Sequence, residues 1–96
     1  MEANMKLQVL VSCMHQQDYS LLEKMNIQTD AIIINQCDIN KFEDIKYRNN
    51  LVKFISLNER GVGKSRNNAL LRADSDICLF ADEDVSYVDG YEDIII

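Results

Sequence analysis

The sequence has no proline and no tryptophan, and only three of its 96 residues are glycine. Nothing in it therefore reads as a flexible linker between domains. Cysteine is scarce as well. Cys13, Cys37 and Cys78 form an odd, widely spaced set, which suggests neither a disulfide framework nor a Cys-x-x-Cys zinc clip and reads as reduced, buried thiols. His15 is the single histidine, too few for a zinc site of the usual His/Cys kind or a Ser-His-Asp relay, so it is read as structural. No apolar run approaches the roughly 20 residues that cross a bilayer. Met1 to Lys6 lack the charged-then-apolar layout of a secretion signal, and a soluble, cytoplasmic protein is expected. A net charge of −6 argues against a surface for nucleic-acid phosphates, which needs a positive face.

What is present is 47% hydrophobic content, enough for one core, and no internal repeat, so residues 1–96 are read as a single domain. Leu7, Val9, Leu10 and Val11 mark a first strand within Lys6–Val11, buried on both faces. Asp18 or Ser20 can cap a short helix through Met25, with Ser20-Leu21-Leu22-Glu23 fitting a capping box. Asp30–Ile34 is a second buried strand ending in the polar group Asn35-Gln36-Cys37-Asp38. Ile39–Leu51 is about the minimum length for a parallel crossover, with Phe42 and Ile45 at helical spacing. Val52–Leu57 is a third strand, Asn58–Lys64 a loop, Ser65–Ala73 a helix and Asp76–Ala81 a fourth strand. The order predicts an α/β fold, a Rossmann-like parallel sheet of about four strands with flanking helices, whose ligands sit beyond the carboxyl ends of the strands.

Three polar groups fall at such ends. Asp82-Glu83-Asp84 follows the fourth strand. Continued extension would turn Asp82 and Asp84 to one side and Glu83 to the other, and hard oxygen donors suit Mg²⁺ or Mn²⁺ shared with substrate phosphates. A solvated acidic turn is the plain alternative. In the second group, Gly61 and Gly63 permit close backbone approach, Lys64 and Arg66 add positive charge, and the following helix offers free N–H groups at its start; together these are anion-binding chemistry. An ordinary strand-to-helix turn is the alternative there. The third group, Asn35 to Asp38, offers amides and a carboxylate to a nucleobase or ribose. Charge is also segregated. Residues 73–96 hold eight carboxylates and no Lys or Arg, directly after the basic stretch Arg60, Lys64 and Arg66.

Taken together, Asn58-x-x-Gly61-x-x-x-Ser65-Arg66-Asn67-x-Ala69 followed by Ala73-Asp74-Ser75-Asp76-Ile77-Cys78-Leu79-Phe80-Ala81-Asp82-Glu83-Asp84 resembles the amino-terminal half of the family-2 glycosyltransferases, enzymes of the GT-A fold that use nucleotide-sugar donors. The resemblance spans Leu7 to about Tyr91. It implies a metal and diphosphate site at Asp82 and Asp84, with Glu83 and Gly61 in the donor site and Arg66 approaching the nucleotide. It also implies Val11 and Ser12 under the base, with Gln36 or Asp38 beside it. The first strand departs from the pattern by ending in Val-Ser-Cys-Met-His, where the family usually has Pro and often Tyr, and Asn35-Gln36 stands where paired acids are common. The resemblance implies inverting transfer of the sugar with Mn²⁺ or Mg²⁺ and a general base supplied downstream. Asp89, Glu92 and Asp93 follow the acidic group too closely to be nominated.

Ile94-Ile95-Ile96 reads as the first turns of an uncapped helix. A shortened chain is therefore expected, without the acceptor-binding half and inactive alone, with an exposed apolar edge favouring a homo-oligomer. Two other readings stand beside this one. Gly63-Lys64-Ser65 invites a P-loop hydrolase, although Asn58 occupies a position where that motif needs glycine. A flavodoxin-like regulatory domain with a metal-dependent acidic switch is the other. Sugar, acceptor and linkage are not legible.

Overall fold

The computed structural model describes residues 5–95; Met1–Asn4 and Ile96, which the leader and terminal-helix readings touched, lie outside that description. Five strands form one sheet: β1 (Leu7–Met14), β2 (Asp30–Gln36), β3 (Lys41–Tyr47), β4 (Asn50–Leu57) and β5 (Ile77–Asp82). Three helices accompany them, α1 (Ser20–Lys24), α2 (Val62–Arg72) and α3 (Tyr91–Ile95). The strand order is β3-β4-β2-β1-β5. Neighbours among β4, β2, β1 and β5 run parallel, and β3 is antiparallel to β4. The fold is thus mixed α/β with a mostly parallel sheet.

Each central strand is apolar over most of its length because both of its faces are covered. Val9, Val11, Cys13, Ala31, Ile33 and Phe54 pack with Leu21, Leu22 and Met25 of α1 and its end on one face. Leu10, Ile32, Ile34 and Ile55 meet Ala69 of α2 on the other. Full burial of Leu22 and Met25 stabilises the short α1 by about 1.5–3 kcal/mol per side chain, a contribution that five helical residues could not match by propensity.

Several expectations need correction. The segment Ile39–Leu51 is not a crossover: β3 turns back through Arg48 and Asn49 into β4 and adds a fifth strand to the expected four. Phe42 pairs with Ile55 on the α2 face and Ile45 with Val52 on the α1 face. Their three-residue spacing therefore serves two sides of a strand rather than one side of a helix. The turn has φ of +50° at Arg48 and +64° at Asn49, the sense that matches strand twist in a two-residue hairpin. Asn35 and Gln36 belong to β2 and are buried, because their amides find partners inside the protein. The capping box is not formed either. Tyr19 precedes the helix, and Asp18 Oδ1 accepts hydrogen bonds from the Ser20 amide (3.0 Å) and hydroxyl (2.6 Å).

Beyond β5 the chain crosses back over the α1 face to the corner between α1 and β2. There the Tyr87 amide donates to Met25 O (2.9 Å), and Asn26 Nδ2 donates to Tyr87 O (2.9 Å) and to Asp89 Oδ1 (2.8 Å). Tyr91 is buried, its hydroxyl 2.6 Å from that of Thr29. Among the described residues no helix is long and apolar enough to cross a membrane.

Candidate functional site

The carboxyl ends of β1 and β5 and the amino end of α2 enclose a cleft of about 450 Å³, lined by Ser12, Met14, Gly61, Ser65 and Asp82–Asp84 among others. Its geometry starts with Gln36. From the end of β2 its Nε2 donates to Gly61 O (2.9 Å), and its Oε1 accepts from the Gly61 amide (3.2 Å). One buried amide therefore fixes both backbone groups of the residue that precedes α2. Gly61 has φ +115°, a conformation open to glycine and strained for other residues. The helix begins at Val62, and Ser65 N donates to Gly61 O (3.1 Å). The amides of Val62, Gly63 and Lys64 precede any intrahelical acceptor, so they carry the positive end of the helix dipole.

Ser65 is buried, and its hydroxyl donates to Ser12 Oγ (2.7 Å), joining α2 to the end of β1. On the opposite wall Asp82 closes β5 and pairs with Ser12. The strand stops there. Val85 N donates to Asp82 O (3.1 Å), so Glu83 and Asp84 lie in a turn, and the strand-like alternation expected of the three acids ends at its first member. Glu83 Oε2 accepts from Met14 N (3.2 Å) and Gln16 Nε2 (3.2 Å), which ties the acidic turn to β1. Asp82 and Asp84 are exposed along the same cleft.

Of the residues singled out from sequence, Ser12, Gln36, Gly61, Asp82, Glu83 and Asp84 share this cleft. Val11, Asp38 and Arg66 do not line it. Val11 is fully buried in the core on the α1 face. Asp38 accepts from Arg60 Nη2 (2.9 Å), while Arg60 Nη1 donates to Cys37 O (2.7 Å), so this arginine ties the loop after β4 to the end of β2. Arg66 lies with its guanidinium 5.6 Å from the centre of the Phe80 ring.

Sequence reasoning passed over Ser65 as a member of the site; its place one helical turn after Gly61 is the signal that could have found it. Met14 and Gln16, which hold Glu83, carried no signal of their own. A larger cavity of about 510 Å³ opens on the α1 face between His15, Asp18, Tyr19, Asp38, Phe54 and Ser56. It contains neither the acidic turn nor the start of α2, which makes the smaller cleft the better candidate for anion and metal chemistry.

No family model matches this chain, and comparison with curated proteins and with solved structures gives no match.

Asp82 and Asp84 supply hard oxygen donors suited to Mg²⁺ or Mn²⁺. Among the described residues no group of three or more His, Cys, Asp or Glu side chains is arranged to hold a metal ion. An ion held by these two carboxylates would take its remaining ligands from phosphate and water. Burial, then the charges of Glu83 and Cys37, push the Cys13 thiol at the cleft wall up to about 12, which disfavours the thiolate a nucleophile needs.

Proposed function

We propose that this chain is the donor-binding portion of a glycosyltransferase of the family-2, GT-A type, with a Rossmann-like sheet. It would bind a nucleoside diphosphate sugar with Mn²⁺ or Mg²⁺, and the full enzyme would transfer the sugar to an acceptor with inversion. One observation carries the reading: the amino end of α2 and the acidic turn Asp82–Asp84 line opposite walls of one cleft. A diphosphate matches both walls. The helix amides favour anionic oxygens, whereas the carboxylates repel them unless a cation lies between.

In this reading the amides of Val62–Lys64 orient the diphosphate, and Asp82 and Asp84 hold the ion. Glu83, tied to β1, keeps the acidic turn facing the helix. When bound, the ion offsets charge developing on the departing diphosphate. Asp38, paired with Arg60 just beyond β2 and with its side chain 85% exposed, would reach the ribose or base from the neighbouring cavity. Asp89 is held by Asn26 at the corner leading into β2, at the opposite end of the strands from the cleft.

The P-loop reading is weaker. Only four residues, Asn58 to Gly61, separate β4 from α2, too few for the glycine-rich wrap that cradles a phosphate chain. Calorimetric titration with UDP and GDP, with and without Mn²⁺, tests the proposal. Metal-dependent binding that Asp84→Ala weakens by at least about tenfold, or about 1.4 kcal/mol, is expected. No response to either nucleotide would overturn the reading, and ATP binding lost on Lys64→Ala would favour the hydrolase.

A further inference from the structure

Asn35 and Gln36 are successive residues of β2, so their side chains leave opposite faces of the sheet. Each clamps one loop on its own side. Gln36 brackets the backbone of Gly61. Asn35 brackets the backbone of Gln16: its Oδ1 accepts from the Gln16 amide (2.9 Å) and its Nδ2 donates to Gln16 O (2.9 Å). A further bond from Asn35 Nδ2 to Ser56 Oγ (3.2 Å) ties this clamp to β4. Asn35 is buried, so breaking the clamp would leave its amide without partners and without water, which makes the clamp firm.

The clamp sets the path of the chain after β1. His15 takes φ +53°, a left-handed conformation uncommon for residues with a side chain, and its amide donates to Gln36 O (3.0 Å). Beyond this turn the Nε2 of Gln16 spends its two hydrogens on Met14 O (3.3 Å) and Glu83 Oε2 (3.2 Å). Met14 N donates to the same carboxylate oxygen (3.2 Å). Bonds therefore run without a break from the buried amide of Asn35, through Gln16, to the middle member of the acidic turn. Asp82 and Asp84, on either side of Glu83, are exposed along the cleft. Hydrogen bonds to a carboxylate are stronger than those between neutral groups, so Glu83 is the anchored acid of the three.

We infer, resting on the metal-dependent reading above, that Gln16 is a positioning residue for the ion site, itself set by Asn35. Gln16 grips Glu83, and this grip turns Asp82 and Asp84 towards the start of α2. Glu83 is then a tether rather than a ligand. Neither Gln16 nor Asn35 lines the cleft, and both act on the ion only through the acidic turn.

Mn²⁺ titrated into the full chain tests this, with backbone amides followed by NMR, because the paramagnetic ion broadens signals near it. Broadening centred on Asp82–Asp84 is expected in the native chain. Gln16→Leu keeps the backbone bonds to Asn35 but loses both Nε2 donors, and should need about fivefold more Mn²⁺ for half-broadening, the scale of one lost hydrogen bond. Asn35→Asp sets an acceptor against Gln16 O and should act in the same direction; where it does not fold, Gln16→Leu decides. Glu83→Gln keeps an oxygen for Met14 N and Gln16 Nε2 and should stay within about twofold of the native chain, since one exposed charge is screened by salt. Glu83→Ala should fall with Gln16→Leu. Without metal, exchange of the Val85 amide, which donates to Asp82 O, should quicken in Gln16→Leu and Glu83→Ala but not in Glu83→Gln. An unchanged Mn²⁺ response in Gln16→Leu would overturn the inference and leave the nucleotide reading standing. Glu83→Gln as weak as Glu83→Ala would make Glu83 a ligand and overturn it as well. No broadening at Asp82–Asp84 in the native chain, with or without UDP or GDP, would remove the metal reading itself and the inference with it.

Discussion

At the scale of single residues, Gln36 and Cys13 show how burial assigns roles. The amide of Gln36 brackets both backbone groups of Gly61, so Gln36→Leu leaves the Gly61 amide without its partner and Gly61 O with the Ser65 amide alone. A loss of about 1–3 kcal/mol in urea denaturation is expected, together with weaker nucleotide binding as the start of α2 shifts. Cys13 makes a pH prediction. Its folded value, about 12, lies above the ordinary 9.0, so the fold favours the protonated thiol. That contribution is fully present below pH about 9 and is lost as pH rises towards 12. The urea midpoint of the native chain should therefore fall more steeply above pH 9 than that of Cys13→Ala; parallel slopes would contradict the assignment.

At the scale of elements, the β3–β4 hairpin turns on two non-glycine residues at positive φ. Asn49→Gly relieves that conformation at the second turn position and should raise stability by up to about 1 kcal/mol, measured as a shift in urea midpoint at constant m-value. The same hairpin marks where the sequence ceased to be legible. β1, β2, β4 and β5 announce themselves as apolar runs because helices or returning chain cover both faces of most of their length. β3 is covered on one face only, where Ile45 and Tyr47 pack against the core, and its Lys-Phe-Glu-Asp-Ile-Lys-Tyr alternation is broken at Glu43 and Asp44, so it shows neither a strand period nor a helix period clearly. The acidic turn and the glycine before α2 were legible from position alone, at the ends of recognisable strands. The inward role of Gln36 was not, since the Gly61 backbone that satisfies it lies 25 residues away.

At the scale of the whole molecule, charge is unevenly spread: the chain carries a net −6, and its last 24 residues hold eight carboxylates with no basic side chain. Self-repulsion of this segment opposes the fold and is screened by salt. The melting temperature should accordingly rise by a few degrees, about 1 kcal/mol for a domain of this size, between low ionic strength and about 0.5 M NaCl. A flat or falling melting curve would show that the repulsion is already relieved. The strand order has a kinetic consequence. β1 lies between β2 and β5, and its partner Ile77–Asp82 is some 70 positions away along the chain. During synthesis β1 waits for β5 before its second side is closed, and loop-closure entropy of that reach slows folding. Until then its Val, Leu and Ile side chains stay open to chaperones and to other nascent chains.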